Sequence, residues 1–124
     1  MIYLTYAQAI AIANIAVDGT AIVRDTGLLI AAIERPRASV FGEDAYPTVY
    51  EKAGALLHSI VRSHPLVDGN KRFGITATAV FLGLNGVRLV LPVDEAEAFV
   101  VAVAAGQIPE VEDIAERLKA FQSS

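Results

Sequence analysis

The sequence predicts an all-α fold, a compact bundle of about six helices, on three observations. With 124 residues, 54% of them hydrophobic and 19% charged, the chain has the size and composition of one globular domain spanning residues 1–124. Apolar residues recur at the 3.6-residue spacing of an amphipathic helix. The clearest such stripe comprises Tyr50, Ala53, Leu56, Leu57, Ile60 and Val61. Capping residues, glycines and prolines separate the apolar stretches, as expected where helices begin and end.

Two helices are predicted before the first proline. Thr5 can cap a first helix over Tyr6–Val17, because its hydroxyl can accept a backbone amide of the first turn. This segment is apolar on both sides, which predicts a helix well inside the bundle. Asp25 or Thr26 can cap a second helix, and Pro36 stops it because the residue before a proline disfavours the α conformation.

The longest irregular segment, Arg35–Ala45, separates the second helix from the third. It could be a hairpin or flap over a site, or simply a solvated loop, and both interpretations stay open. Pro47 suits the first turn of the third helix, which runs through Val61. That helix is expected to end at His64, since Pro65 holds this residue out of the α region.

Three more helices complete the predicted bundle. The fourth begins around Gly69–Asn70 and ends at Asn85–Gly86, a pair suited to a left-handed C-cap. Gly83 within it suggests close packing against a neighbouring helix. Asp94 can cap the fifth helix, which is expected to end at Gly106. The sixth helix is expected to begin at Pro109.

Composition excludes several classes of function. The formal net charge of −4 argues against direct nucleic-acid binding, and the absence of cysteine excludes disulfides, thiolate catalysis and Cys-based zinc sites. The two histidines, His58 and His64, are too few for a His-rich metal site. The N-terminus lacks the basic start of a signal peptide, and no apolar run reaches the roughly 18–20 residues that span a bilayer. A cytoplasmic protein without membrane attachment is expected.

The nine residues His64–Arg72, between two predicted central helices, combine an imidazole, a carboxylate and two adjacent cations. Lys71 and Arg72 fall in a first helical turn, where the helix dipole favours anions and disfavours cations. Exposed amides and two cations at one helix start are well suited to bind phosphate. His64 could take a proton from a hydroxyl that attacks a bound phosphoryl group. Alternatively, it merely ends a helix and hydrogen-bonds a carbonyl.

The other polar residues of this loop also allow two interpretations each. Asp68 could hold a Mg²⁺ ion that bridges nucleotide phosphates, or could be the N-cap of the fourth helix. Gly69 and Asn70 could let the backbone approach an oxyanion, or could simply form a turn. Lys71 and Arg72 could neutralise charge during phosphoryl or nucleotidyl transfer, or could be a solvated cationic pair.

Two polar residues of the third helix lie close to the loop in sequence. Arg62 could contact a partner or a phosphate, whereas His58 lies on a different face and is expected to be packed or solvated. The chain contains neither a Walker-type Gly-rich loop nor the signature motifs of protein kinases. A kinase with this sequence would therefore have another fold.

The loop resembles the central motif of the Fic/Doc family, His-x-Phe-x-Asp/Glu-Gly/Ala-Asn-Lys/Gly-Arg, and specifically its Doc (death-on-curing) branch. It stands here as His64-Pro65-Leu66-Val67-Asp68-Gly69-Asn70-Lys71-Arg72. Four further stretches look like Doc-type sequence: Arg24–Leu29, Phe41–Pro47, Lys52–Ser59 and Asn85–Leu89. The resemblance covers nearly the whole chain.

This resemblance implies the all-helical Fic fold and the toxin of a type II toxin–antitoxin system. By position, His64 would be the general base, Asp68 the Mg²⁺ ligand and Gly69–Arg72 the anion-binding cradle, with Lys71 and Arg72 also acting in catalysis. Toxins of this branch are understood to use ATP to phosphorylate a threonine of translation elongation factor Tu. The chain lacks the inhibitory Ser/Thr-x-x-x-Glu-Gly/Asn motif of many Fic proteins, so a separate Phd-type antitoxin is the expected partner.

Three positions bear on which reaction the resemblance implies. Members that transfer AMP have Gly where this chain has Lys71, and a second Arg where it has Ile75. Both departures favour phosphate transfer, with AMP transfer (AMPylation) to a protein hydroxyl as the alternative. Leu66 replaces the Phe of the motif, and Phe73 could fill the space left by the shorter side chain. A catalytically inactive binding module is a second alternative, for which Leu66 is the one indication.

Overall fold

Six α-helices make up most of the protein, in a computed structural model that describes residues 1–123. The helices are Tyr6–Val17 (α1), Thr26–Glu34 (α2), Val49–Ser63 (α3), Asn70–Leu84 (α4), Val93–Ala104 (α5) and Val111–Ala120 (α6). A 3-10 turn follows α2, and one antiparallel pair of two-residue strands, Ser39–Val40 (β1) and Glu43–Asp44 (β2), precedes α3. The prediction of an all-α fold with six helices is confirmed.

Helix α3 lies at the centre and packs against α2, α4, α5 and α6. Its apolar stripe is buried, with Leu57 and Ile60 fully inaccessible to solvent. Helix α4 packs closely against α3 at Gly74, where an added Cβ would lie 2.7 Å from Cγ1 of Val61. The expected close packing at Gly83 is wrong, because no neighbouring atom lies within 4 Å of a Cβ built there.

Helix α1 has the predicted bounds but not the predicted position. The Thr5 hydroxyl accepts the Gln8 amide, and the Gln8 side chain accepts the Thr5 amide, which completes a capping box. However, the helix buries one face only, and Ile15 is 75% exposed. The prediction of a helix well inside the bundle is wrong, because alanines made the sequence apolar all round without supplying large side chains to bury.

Three helices begin at residues other than those predicted, and the sixth begins at Val111, two residues after Pro109. Thr48 is the N-cap of α3, since its hydroxyl accepts the Glu51 amide at 3.1 Å, and Pro47 therefore precedes the cap. Helix α5 begins at Val93, so Asp94 lies in the first turn and does not cap it. An acidic side chain in a first turn still interacts favourably with the positive end of the helix dipole.

The segment 35–45 contains a hairpin, which was one of the two interpretations of its sequence. Strands β1 and β2 are joined by Phe41 and Gly42, with φ angles of 52° and 80°. Phe41 is fully exposed at the tip. At the base of the hairpin, the Asp44 carboxylate lies 3.1 Å from the buried Nζ of Lys52, which ties β2 to α3. Among residues 1–123, no helix combines the length and apolarity needed to cross a membrane.

Candidate active site

The loop that joins α3 to α4 forms one side of a cavity of about 620 Å³. All six residues singled out in its sequence line this cavity: His64, Asp68, Gly69, Asn70, Lys71 and Arg72. The facing wall consists of Val17 and residues 20–22, from the end of α1 and the connector to α2. The structure thus brings the predicted site residues together around one space.

His64 is the C-cap of α3, in the left-handed conformation with φ 55° and ψ 63°. Its amide donates to the Ile60 carbonyl at 3.2 Å, which confirms that the helix ends at the residue before Pro65. The side chain is exposed, and its ring makes no hydrogen bond with any residue of the described chain. The imidazole is therefore available to the cavity, while the backbone of the same residue ends the helix.

Helix α4 starts at the cavity without a side-chain cap. Gly69 is its N-cap, with φ 81°, and the first bond inside the helix runs from the Phe73 amide to the Gly69 carbonyl. The amides of Asn70, Lys71 and Arg72 therefore have no acceptor within the helix. The Lys71 and Arg72 side chains are exposed at the same helix start. Open amides, the positive end of the dipole and two cations together favour an anion such as phosphate.

Asp68 lies just outside α4 and is not its N-cap. One carboxylate oxygen accepts the amide of the adjacent Gly69 at 2.8 Å, and the side chain is exposed. Within residues 1–123, no group of three or more His, Asp or Glu side chains could enclose a metal ion. A single exposed carboxylate fits Mg²⁺, which proteins commonly hold through one or two carboxylates together with phosphate oxygens and water.

Asn70 holds the loop in place through its side chain. Its Oδ1 accepts the Leu66 amide at 2.9 Å, and its Nδ2 donates to the Leu66 carbonyl at 3.0 Å. The side chain of Asn70 is thus engaged with the loop itself, while its backbone amide has no acceptor within the helix; the sequence predicted a phosphate-binding residue without this distinction. Leu66 and Phe73 are both buried in the hydrophobic core. The shorter side chain at the motif's Phe position is thus accommodated in the interior.

The facing wall was not found by sequence reasoning. The Val67 amide donates to the Ile22 carbonyl at 2.9 Å, and the Arg24 amide donates to the Pro65 carbonyl at 2.8 Å. Helix α1 also abuts the loop, since a Cβ added to Gly69 would lie 2.5 Å from Cγ1 of Val17. These partners lie far apart in the chain, and no local pattern marks them.

His58 and Arg62 lie outside this cavity, in a groove between α2 and α3. Nη1 of Arg35 lies 2.8 Å from Nδ1 of His58. Because a guanidinium only donates, Nδ1 accepts and the ring proton sits on Nε2. Arg62 donates to the Ala104 carbonyl at 2.7 Å, so it supports α5, and it does not line the cavity. His58 is half-buried, as expected for a packed residue.

Stability should depend on pH through His58. Burial, followed by the charges of Arg35 and Arg62, lowers the pKa of His58 below its ordinary value of 6.5. The unfolded chain then binds the proton more readily than the folded one. We expect the full contribution to stability above pH 6.5 and its progressive loss as the pH falls below that value.

Chemical denaturation at about pH 7.5 and about pH 5.5 measures this effect. His58→Asn keeps an acceptor for Arg35 but does not titrate, so the variant should lose less stability on acidification than the wild type. Arg117→Ala, in α6, keeps His58 and its two arginine neighbours and should retain the pH dependence of the wild type. Equal losses in the wild type and His58→Asn would show that His58 does not cause the effect.

The chain is similar to known proteins over most of its length. A model of the Fic/DOC family matches residues 3–82, which include α1, the hairpin, α3, the loop and most of α4. The chain is also 44% identical over 124 residues to Toxin Doc of Mycolicibacterium smegmatis, an alignment that covers 98% of this chain and 95% of that protein. The loop His64–Arg72 and the wall that faces it both lie within the matched region.

Proposed function

This chain belongs to the Fic/DOC family, and from that premise we propose that it is a toxin that transfers phosphate from ATP to a threonine hydroxyl of translation elongation factor Tu. It would act in the cytoplasm and arrest translation. The observation that carries the proposal is the convergence of an exposed imidazole, an uncapped helix start, two cations and a carboxylate on one cavity. Its similarity to a Doc toxin over nearly its whole length supports a toxin of this type.

In the proposed reaction, His64 is the general base. Its ring takes the proton of the threonine hydroxyl as the hydroxyl oxygen attacks the γ-phosphorus of ATP. The bond between that phosphorus and the bridging oxygen breaks, and ADP leaves with the electron pair. The open amides at the start of α4, with Lys71 and Arg72, stabilise the negative charge on the transferred group and the leaving group.

Asp68 would hold Mg²⁺ with the nucleotide phosphates, and its exposed carboxylate at the cavity fits this role. The ion neutralises charge on the phosphate oxygens when it is bound. Asn70 keeps the loop folded, so that its own amide and the next two point out of the helix start.

Two side chains favour phosphate transfer over AMP transfer. Lys71 lines the cavity, where members that transfer AMP have Gly, and its side chain takes up space and adds a charge beside the nucleotide. Ile75 is half-buried and packs against the hydrophobic core, where those members have a second Arg that binds phosphate. A different set of cations would hold the nucleotide in a different pose.

We further propose a Phd-type antitoxin as the partner that restrains the enzyme. Ile22 and Val67 both line the cavity and are 64% and 61% exposed. Exposed apolar side chains beside a charged site are suited to a partner segment that folds as it binds.

Mass spectrometry of intact elongation factor Tu tests the proposal. After incubation with this protein, ATP and Mg²⁺, the factor should gain the mass of one phosphate, and peptide mapping should place it on a threonine. A gain of the mass of AMP would instead establish the alternative transfer. No gain on this factor, and none on any protein of a whole lysate, would leave a binding module as the better interpretation.

A further inference from the structure

Arg24, in the connector that leads to α2, binds the end of α3. Its Nε donates to the His64 carbonyl at 2.7 Å, and its Nη2 donates to the Ser63 carbonyl at 2.8 Å. We propose that Arg24 is a positioning residue, which holds the backbone of His64 in the conformation that presents the imidazole to the cavity. The inference rests on the proposed role of His64 as a general base.

The position of Arg24 is itself fixed by its neighbours. Its amide donates to the Pro65 carbonyl at 2.8 Å, and Val23 forms an isolated antiparallel bridge with Leu66. Asp25, the next residue, caps α2 by accepting the Leu28 amide at 3.0 Å. The backbone of Arg24 therefore belongs to a segment that is hydrogen-bonded both to α2 and to the loop.

His64 needs such support because its conformation is unfavourable in two ways. Residues with a Cβ rarely adopt a positive φ, and the φ of His64 is 55°. A residue before a proline also prefers the extended region, and Pro65 follows. The two carbonyls bound by Arg24 belong to the end of α3, where the helix dipole is negative and carbonyls lack partners within the helix. The Ser63 carbonyl is oriented by α3, whereas the direction of the His64 carbonyl depends on the conformation of His64 itself. By binding both carbonyls at once, Arg24 favours the left-handed state of His64 over the extended one.

Direct contact of Arg24 with phosphate is the competing interpretation. Two of its three guanidinium nitrogens already donate to carbonyls, and the residue does not line the cavity. Arg24→Lys separates the two roles, because lysine keeps the positive charge but lacks the planar fork that binds two carbonyls at once. A phosphate contact would have to use the one remaining nitrogen, Nη1, and the ammonium of lysine can replace a contact of that kind. A positioning role needs two nitrogens at once and would be lost.

Kinetic measurements with elongation factor Tu test the inference if the wild type is active. Because small displacements of a reacting group can cost about 100-fold, Arg24→Ala should lower kcat by roughly 10- to 100-fold while KM for ATP changes less than about twofold. Arg24→Lys should lower kcat nearly as much. Arg117→Ala removes an exposed arginine of α6, far from the loop in sequence, and serves as the matched control with unchanged kinetics. A rise in KM at constant kcat, or full activity of Arg24→Lys, would overturn the inference.

NMR of His64 supplies a readout that needs no activity. The Cα chemical shift and the coupling between its amide and α protons distinguish a left-handed residue from an extended one. The wild type should give left-handed values, and Arg24→Lys and Arg24→Ala should move toward extended values, while the other α3 resonances stay in place. Unchanged values in both variants would contradict the inference. An inactive wild type whose His64 responds in this way would refute the proposed function but not the role of Arg24.

Discussion

Replacing His64 by alanine should remove phosphate transfer while leaving the fold intact. A positioned general base contributes about 10²- to 10⁴-fold to a rate, so the modified mass of elongation factor Tu should become undetectable on the time scale of the wild-type reaction. The side chain is exposed and bonds to no described residue, so its removal should cost little stability. Growth of cells that express the variant should recover, and a Phd-type antitoxin should still bind it.

The other histidine provides the matched control for this experiment. His58→Asn removes an imidazole from the groove between α2 and α3, outside the cavity, and should leave the transfer rate within about twofold of the wild type. If His64→Ala kept full toxicity, His64 would not be the general base, and the result would favour a binding module over an enzyme. If both variants lost activity equally, a general effect on folding would explain the result better than catalysis.

Gly69→Ala should have the largest effect on the shape of the site. The substituted residue would have to keep a φ of 81°, and its Cβ would lie 2.5 Å from Cγ1 of Val17. Strain at a positive φ and overpacking each cost roughly 1–3 kcal/mol, so a loss of about 2–6 kcal/mol in the free energy of unfolding is expected. Because Gly69 is the N-cap of α4, nucleotide binding should weaken as well. Urea denaturation and calorimetric titration with ATP measure the two effects.

A double-mutant cycle separates the two causes. Val17→Ala takes away the methyl groups that the new Cβ would meet, but it leaves the unfavourable φ unchanged. Gly69→Ala/Val17→Ala should therefore lose less stability than the sum of the two single changes, by about 0.5–3 kcal/mol. Gly42 also has a positive φ, of 80°, but no atom lies near its Cβ position, so Gly42→Ala isolates the cost of the backbone conformation. An additive cycle would show that Val17 does not restrict this position.

Helix bounds were predictable where one short stretch decides them. Thr5 caps α1 as predicted, Asp25 caps α2, and α4 ends at Asn85 followed by Gly86 with φ 84°. Each of these signals is a side chain or a glycine that acts on amides or carbonyls within four residues. The loop His64–Arg72 was also predictable from the sequence, because its imidazole, carboxylate and cations lie within nine residues.

The remaining features depend on contacts that a local pattern does not contain. Arg24 donates to a carbonyl 40 residues away in the sequence. The side chain of Asn70 bonds to the backbone of Leu66, whereas the sequence had left open whether Asn70 binds phosphate or forms a turn. Arg62 was a candidate for the phosphate, but it bonds to Ala104 at a separation of 42 residues. The outward position of α1 likewise follows from which face meets α4. Tertiary packing determines these contacts, and short stretches of sequence do not encode them.

The two walls of the cavity should form at different times during folding. The loop joins neighbouring helices, so α3 and α4 can pair through contacts that are local in sequence. The hydrogen bond between Arg24 and His64 instead closes a segment of 40 residues, and such closure costs entropy before its contacts stabilise the chain. A chain in which α1 and its connector have detached would keep most of its helical content but have no cavity. Enzymatic activity would therefore disappear through local opening, at lower denaturant than the loss of helix, and would report on the docking of the N-terminal segment.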